Sequence, residues 1–201
     1  EERVYYKPPD REPWRRKCEL RDPVGAFLAR LDDAVRIRLV SDVPFGAFLS
    51  GGIDSSAVVA LMARHVSSPV RTFSVGFSES RYSELVYARA VAKAVGTEHH
   101  ELVVGQDQIV RELPLLIRHR DAPVSEPSDI PIYLLAREAY RTVKMVLTGE
   151  GSDEILGGYP KHVFERFARP YQRFFPGSFR RGLLEPLVHA LPYGFRRVKT
   201  V

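Results

Sequence analysis

Seven consecutive residues, Ser50-Gly51-Gly52-Ile53-Asp54-Ser55-Ser56, hold the types that grip phosphate. Glycines let main-chain N–H groups approach an anion closely, and Ser50, Ser55 and Ser56 add hydroxyl donors. An apolar run ends just before the stretch and a helical pattern begins within it. The first N–H groups of a helix lack partners, and its dipole is positive there. Together these features make a phosphate cradle. It is not a Walker A loop, because no lysine stands between Ser41 and Leu61 to reach the phosphates. Gly-x-Gly-x-x-Gly is absent as well. Asp54 stands beside the cradle instead. An acid next to phosphate is repulsive unless a cation lies between, so Mg²⁺ is implied.

A second stretch has the same grammar. In Val146 to Tyr159, VLTGEGSDEILGGY, an apolar run again ends in glycines and acids. Parallel strands bring their carboxyl ends to one edge, so Asp54 and Asp153 can converge although far apart in sequence. Two carboxylates bracketing a triphosphate are what Mg²⁺ binding requires. Gly149 and Gly151 would let the backbone pass close to a nucleotide. Alone, either stretch also fits a turn whose glycines and acids serve geometry and the helix dipole. The two together favour a nucleotide site.

The elements that must position these residues follow from periodicity. Asp22-Pro23 reads as a helix start, with Asp as N-cap and Pro at the first helical position. Phe27, Leu28, Leu31, Val35 and Leu39 then recur at helical spacing to about Val40. Strands are predicted at Phe45–Leu49, Arg71–Gly76, His100–Val104 and Lys144–Thr148. Helices are predicted at Asp54–His65, Ser83–Val95 (ended by Gly96), Gln106–Arg118 and Asp129–Arg141. Short apolar strands alternating with helices indicate βαβ units and a parallel sheet buried on both faces. Right-handed crossovers make it an open, doubly wound α/β sheet with helices on both faces.

Composition bounds the rest. The chain has 201 residues, 44% hydrophobic and 27% charged, enough for one packed domain. A single cysteine, Cys18, rules out a disulfide within the chain and a Cys-based metal site. The net charge of +5 is not spread evenly: residues 161–201 hold nine of the 30 basic side chains and only Glu165 and Glu185 of the acidic ones. The near-neutral body argues against nucleic acid as a partner. No apolar stretch is long enough to span a membrane, and a cytoplasmic location is expected. Residues 1–21, rich in proline and charge, read as a linker from a missing N-terminal domain. Residues 22–160 read as the α/β domain. Residues 161–201 read as the start of a truncated helical region. There Phe164, Phe167, Tyr171, Phe174, Phe175 and Phe179 alternate with arginines in short helices broken by Pro170, Pro176, Pro186 and Pro192, with apolar faces that belong against a C-terminal portion.

SGGIDSS resembles the pyrophosphate-binding loop (PP-loop) of the N-type ATP pyrophosphatases, an adenine nucleotide alpha hydrolase-like fold. With TGEGSDEILGGY, and with VPFGAFLSGGIDSS, FSVGF, GTEHHEL and PIYLLAREA, the chain resembles the synthetase domain of glutamine-dependent asparagine synthetases from about Asp22 to Tyr159. The resemblance implies ATP and Mg²⁺. Ser50, Gly51, Gly52, Asp54, Ser55 and Ser56 would hold the pyrophosphate end of ATP. Leu49, Val75, Thr148 and Gly149 would meet its adenosine part, and Asp54 and Asp153 would hold Mg²⁺. Thr148 stands where the family more often has serine. Glu150 would serve formation of the acyl-adenylate. The implied reaction converts an aspartate side-chain carboxylate to β-aspartyl-AMP and pyrophosphate, and ammonia from glutamine then displaces AMP to give asparagine. The family's glutaminase domain is absent from this chain, and Cys18 in the linker is not its nucleophile. A basic residue that the family carries farther on has no match in the tail.

Several residues are given no site role. His99 and His100 are adjacent, point to opposite faces of a strand and read as structural. Asp121 and Glu126 sit on a loop that can face substrate. Asp129 reads as the N-cap of the helix that Pro131 helps start. Tyr82, Ser83 and Glu84 read as a helix start. The alternative functions are an amidotransferase or β-lactam-synthetase-like enzyme acting on another carboxylate, and a non-catalytic ATP-binding module. A PP-loop enzyme of tRNA or sulfur transfer is disfavoured by the near-neutral body and the single cysteine. Oligomeric state is not legible.

Overall fold

In a computed structural model of the chain, which describes residues 21–79, 81, 83–122, 126, 128–175, 177–179, 182 and 186, helix α1 (Pro23–Arg38) opens at Asp22. The Asp22 carboxylate accepts the Gly25 N–H at 2.8 Å, and Pro23 takes the first helical position. The cap satisfies an N–H that the helix cannot. Arg36 and Arg38 end the helix on the side its dipole favours. The linker expected over residues 1–21, Cys18 included, lies outside the described residues except for Arg21.

Four short strands come next: β1 (Phe45–Phe48), β2 (Arg71–Phe77), β3 (Glu98–Val104) and β4 (Met145–Leu147). They pair in the order β3-β2-β1-β4, every pairing parallel. Helices cover both faces, as the alternating pattern predicts. On one face α1, α2 (Ile53–His65) and α3 (Leu85–Val95) bury Val35, Val58, Val59, Met62, Ala88 and Ala92 against Ala47, Leu49 and Leu147. On the other, α4 (Gln106–Arg120) and α5 (Asp129–Ala139) bury Leu116, Ile130, Leu134, Leu135 and Ala139 against Phe73 and Val104. No helix among the described residues is long and apolar enough to cross a membrane.

The connectivity decides where a ligand can enter. The chain steps from β1 to β2 to β3 in one direction, then returns through α4 and α5 to place β4 on the far side of β1. The strand order reverses there, opening a crevice beyond the carboxyl ends of β1 and β4. Register fixes the two ends side by side, with Phe45 opposite Met145 and Ala47 opposite Leu147.

Most boundaries fall within two residues of expectation, with two differences of substance. Asp129 is not the N-cap of α5: Ser128 occupies that position, and the Asp129 carboxylate pairs with the Arg120 guanidinium instead. The Arg120–Asp129 bond joins two ionised groups, which makes it one of the stronger hydrogen bonds a carboxylate can form. The predicted helix over Gln106–Arg118 already contains Pro114, and α4 runs through it to Arg120. Pro170 does not break the tail into short helices: α7 (Pro160–Phe174) passes through it, and a three-residue α8 (Gly177–Phe179) comes after. A proline removes one hydrogen bond from a helix without necessarily ending it. Val163, Phe164, Phe167 and Phe174 are exposed on α7. Pro176 and Pro192 lie outside the described residues.

The two histidines of β3 do face opposite ways. His100 stacks on Phe73, its register partner, with ring centroids 5.2 Å apart. His99 takes the other face, where its Nδ1 is 2.9 Å from the Thr72 hydroxyl. Its Nε2 is buried without a hydrogen bond, although a Glu101 carboxylate oxygen lies 3.4 Å away. Burial pushes the His99 pKa below its ordinary 6.5, outweighing the opposite pull of Glu101. The unfolded chain therefore binds a proton below pH 6.5 that the folded chain refuses. Folding stability should fall as pH drops through 6.5 toward the lower folded value. Denaturation midpoints measured between about pH 7 and about pH 5 test this. His99→Gln, which keeps a polar group near Thr72 but does not titrate, should flatten the decline; an unchanged slope would put its source elsewhere.

Candidate functional site

Beyond the carboxyl ends of the strands lies a cavity of about 620 Å³. The turn after β1 forms one wall. Gly51 has φ +86°, and a Cβ there would lie 2.5 Å from the Ala88 main-chain nitrogen. Only glycine allows both that dihedral and that contact, so the turn seats directly on α3. Gly52 has φ −68°, and a Cβ there would meet only the Ser50 hydroxyl, at 3.3 Å. It is the N-cap of α2 and offers no capping side chain, which leaves the helix N-terminus open to a ligand.

The serines hold the turn in shape. The hydroxyls of Ser50 and Ser55 are 2.9 Å apart, and the Ser50 N–H donates to the Ser55 Oγ at 3.3 Å. The Gly52 N–H donates to the Ser50 Oγ at 3.2 Å. Ser56 donates its hydroxyl to the Gly52 carbonyl at 2.6 Å. From β2, the buried Ser74 donates to the Leu49 carbonyl and ties down the end of β1.

The turn after β4 forms the facing wall. The Thr148 Oγ1 accepts the Glu150 N–H at 3.4 Å, and the Ser152 hydroxyl donates to the Gly149 carbonyl at 3.0 Å. Gly149 touches the start of α2 directly: a Cβ on it would stand 2.6 Å from the Ser55 nitrogen and 2.8 Å from the Asp54 carbonyl carbon. The two turns are thus in backbone contact. Gly151, at φ +94°, begins the short helix α6 (Ser152–Leu156), which carries Asp153. Tyr159 donates its phenol to a Glu154 carboxylate oxygen at 2.6 Å. That bond draws Glu154 below its ordinary carboxylate range and pushes the Tyr159 pKa up to about 12.

Of the residues singled out in the sequence, Leu49, Ser50, Gly52, Asp54, Ser55, Val75, Thr148, Gly149, Glu150 and Asp153 all line this one cavity. Gly51 and Ser56 do not; Gly51 packs on α3 and Ser56 turns its hydroxyl back onto the turn. Asp121 and Glu126 are exposed and off the cavity wall, whereas Ser128 from the same connection lines it. Glu84 is more than a helix start: it is the N-cap of α3 and also lines the cavity. Its position after the carboxyl end of β2 was the available signal. Tyr82 lies outside the described residues. Sequence reasoning also missed the apolar wall of Phe48, Phe73, Phe77, Pro131, Ile132 and Leu135.

The wall chemistry is divided. β2 and α5 supply mainly apolar side chains, which suit a flat base; the turns after β1 and β4 supply N–H groups, hydroxyls and carboxylates. Asp54, Glu84, Glu150 and Asp153 are acidic, and no described lining residue is basic. Such a wall repels a bare polyphosphate. No group of three or more His, Cys, Asp or Glu able to hold a metal is found among the described residues. Mg²⁺ is commonly held by one or two carboxylates together with substrate phosphates. Asp54 and Asp153, one on each facing turn, are carboxylates of the kind such a donor set uses.

Fold and site define a three-layer parallel α/β domain with a nucleotide-sized cavity at its strand switch point. The sequence pattern of the asparagine synthase family matches residues 26–200, and the chain belongs to that family. It is 36% identical over 191 residues to asparagine synthetase [glutamine-hydrolyzing] 1 of Bacillus subtilis, covering 95% of this chain and 29% of that protein. It is 39% identical over 172 residues to asparagine synthetase [glutamine-hydrolyzing] 2 of Arabidopsis thaliana, covering 78% of this chain and 28% of that one. The chain thus spans less than a third of the length of these relatives. An NH3-dependent NAD synthetase from Campylobacter jejuni overlaps with a TM-score of 0.47 and 19% identity over 67% of this chain and 60% of that one, too slight a likeness to carry a conclusion.

Proposed function

We propose that this chain is the ATP-binding core of a ligase of the asparagine synthetase type. The supporting observation is the backbone contact between the Ser50–Ser55 turn and the Gly149–Asp153 turn across one cavity, in a chain of this family. In this reading the adenosine of ATP lies against Leu49, Val75, Thr148 and Gly149, and its phosphates meet the N-terminus of α2. Mg²⁺, held by Asp54 and Asp153, would offset phosphate charge.

The chemistry answers a definite problem. A carboxylate is a poor acyl donor because its leaving group is oxide. Attack of an aspartate side-chain oxygen on the α-phosphorus breaks the bond to the bridging oxygen and releases pyrophosphate. The resulting β-aspartyl-AMP has a good leaving group. Ammonia, obtained from glutamine, attacks the acyl carbon and loses a proton, and AMP departs to leave asparagine. The first N–H groups of α2 are fixed before reaction, so they meet the charge on departing pyrophosphate without reorganising. Glu150 faces the same cavity and can take the proton from ammonia or order the reacting groups.

Calorimetric titration of the full-length protein with ATP, with and without Mg²⁺, tests the assignment. Asp54→Ala should weaken Mg-ATP by at least about tenfold, the smallest loss usual even for an outer-shell partner of a metal site, while Mg-free ATP binding changes little. Equal losses would remove Asp54 from the metal. Absence of any ATP binding to the wild-type protein would sink the reading itself.

A further inference from the structure

Asp153 sits on a helix of only five residues, too short to hold a side chain rigidly by itself. The residues after that helix supply the restraint. Gly157, in the left-handed region at φ +70°, and then Gly158 both give their N–H groups to the Asp153 carbonyl, the latter at 3.0 Å. The Tyr159 phenol closes the turn onto Glu154 at 2.6 Å. The Lys161 ammonium lies 4.5 Å from the centre of the Tyr159 ring and covers it.

Gly158 is the tightest point. A Cβ there would stand 1.9 Å from Asp153 Oδ1, 2.9 Å from its Cγ and 3.3 Å from its Cα. The Asp153 carboxylate thus occupies the space a side chain at 158 would fill. Gly158 is not among the positive-φ glycines, so its backbone conformation does not require glycine. The contact does. The atom in the way is the far end of a rotatable side chain, so an added methyl displaces the carboxylate and leaves the fold in place.

We propose that Gly158, which does not line the cavity, is a positioning residue that sets the direction of the Asp153 carboxylate, with the Tyr159–Glu154 hydrogen bond holding Gly158 against it. The inference rests on the reading of Asp153 as a Mg²⁺ contact. Displacing that carboxylate should weaken Mg-ATP selectively.

The experiment compares wild type, Gly158→Ala, Tyr159→Phe, Asp153→Asn and the Gly158→Ala/Asp153→Asn double variant in the full-length protein. Each is titrated with ATP in Mg²⁺ and in EDTA, and its thermal midpoint is recorded. Gly158→Ala should lose about tenfold or more in Mg-ATP affinity, the usual scale for groups that orient a metal ligand, with little change in EDTA or in the midpoint. Tyr159→Phe should lose less, in the same Mg²⁺-dependent sense. The double variant should bind no more weakly than Asp153→Asn alone, because both changes act through one carboxylate. If Asp153→Asn loses Mg²⁺ selectivity and Gly158→Ala keeps it, Gly158 has no positioning role and the reading of Asp153 stands. If Asp153→Asn keeps it, that reading fails and the inference with it. If Gly158→Ala does not fold, Tyr159→Phe decides: an Mg²⁺-selective loss supports the restraint, and wild-type behaviour overturns it.

Discussion

Gly149→Ala should disable the site and destabilise the fold together. The added methyl would point at the Ser55 nitrogen and the Asp54 carbonyl carbon from less than 3 Å. Those are main-chain atoms of the first turn of α2, and no side chain can swing aside to make room. The turn after β4 and the start of α2 must separate, which moves Asp54 and Ser55 away from Glu150 and Asp153. Overpacking of this kind costs about 1–3 kcal/mol, visible as a lower denaturation midpoint. Mg-ATP affinity should fall by at least about tenfold, since an ångström of misplacement removes most of the benefit of groups fixed in advance. Gly96→Ala is the control. Gly96 has φ +76° but open space around the missing Cβ, so its replacement strains only the end of α3, at about 1 kcal/mol, and leaves binding alone. Wild-type affinity in folded Gly149→Ala would show that the turns need not touch to bind nucleotide.

Glu150→Gln should separate binding from chemistry. The change is isosteric and keeps the Glu150 N–H on Thr148 Oγ1. It also removes one negative charge from a cavity lined by four acids and no described base. Binding of an anionic nucleotide should therefore hold or tighten. A glutamine cannot accept a proton, and it orders a cationic or proton-bearing partner poorly. Turnover in the full-length protein should fall by about 10²–10⁴, the range for loss of a general acid or base. The readouts are ATP affinity by titration, and AMP and pyrophosphate released on addition of aspartate. Surviving pyrophosphate release with blocked amide formation would confine Glu150 to the ammonia step. Survival of both would remove it from the reaction.

Much of this was legible in the residues. Short apolar runs between helical patterns indicated a parallel sheet covered on both faces, because side-chain periodicity is local and buried parallel strands read as continuous apolar segments. Asp22-Pro23 marked the start of α1, since a cap acts within a single turn. The two glycine-and-acid turns were found because each lies at a strand end, where ligands of such sheets bind. The errors were local signals overruled by a partner on another element or by cooperativity. Asp129 had the type of an N-cap, but Arg120 on another helix took its carboxylate. Pro170 had the type of a breaker, but α7 continued through it.

By itself, the sequence determined the alternation of elements, the phosphate-gripping turn and the residue types available at each strand end, since all of these depend on neighbours along the chain. Only the tertiary structure decided which of them share a cavity. It brought Glu84, Ser128 and the apolar wall of β2 and α5 onto the site, and it left Gly51 and Ser56 off the surface they help to shape. It also separated the glycines by role: Gly51 answers to a dihedral and to α3, Gly149 to the main chain of α2, and Gly158 to the carboxylate of Asp153. The letter G records that a side chain is missing. What fills the space is set by packing between segments far apart in the chain, and no local pattern encodes it.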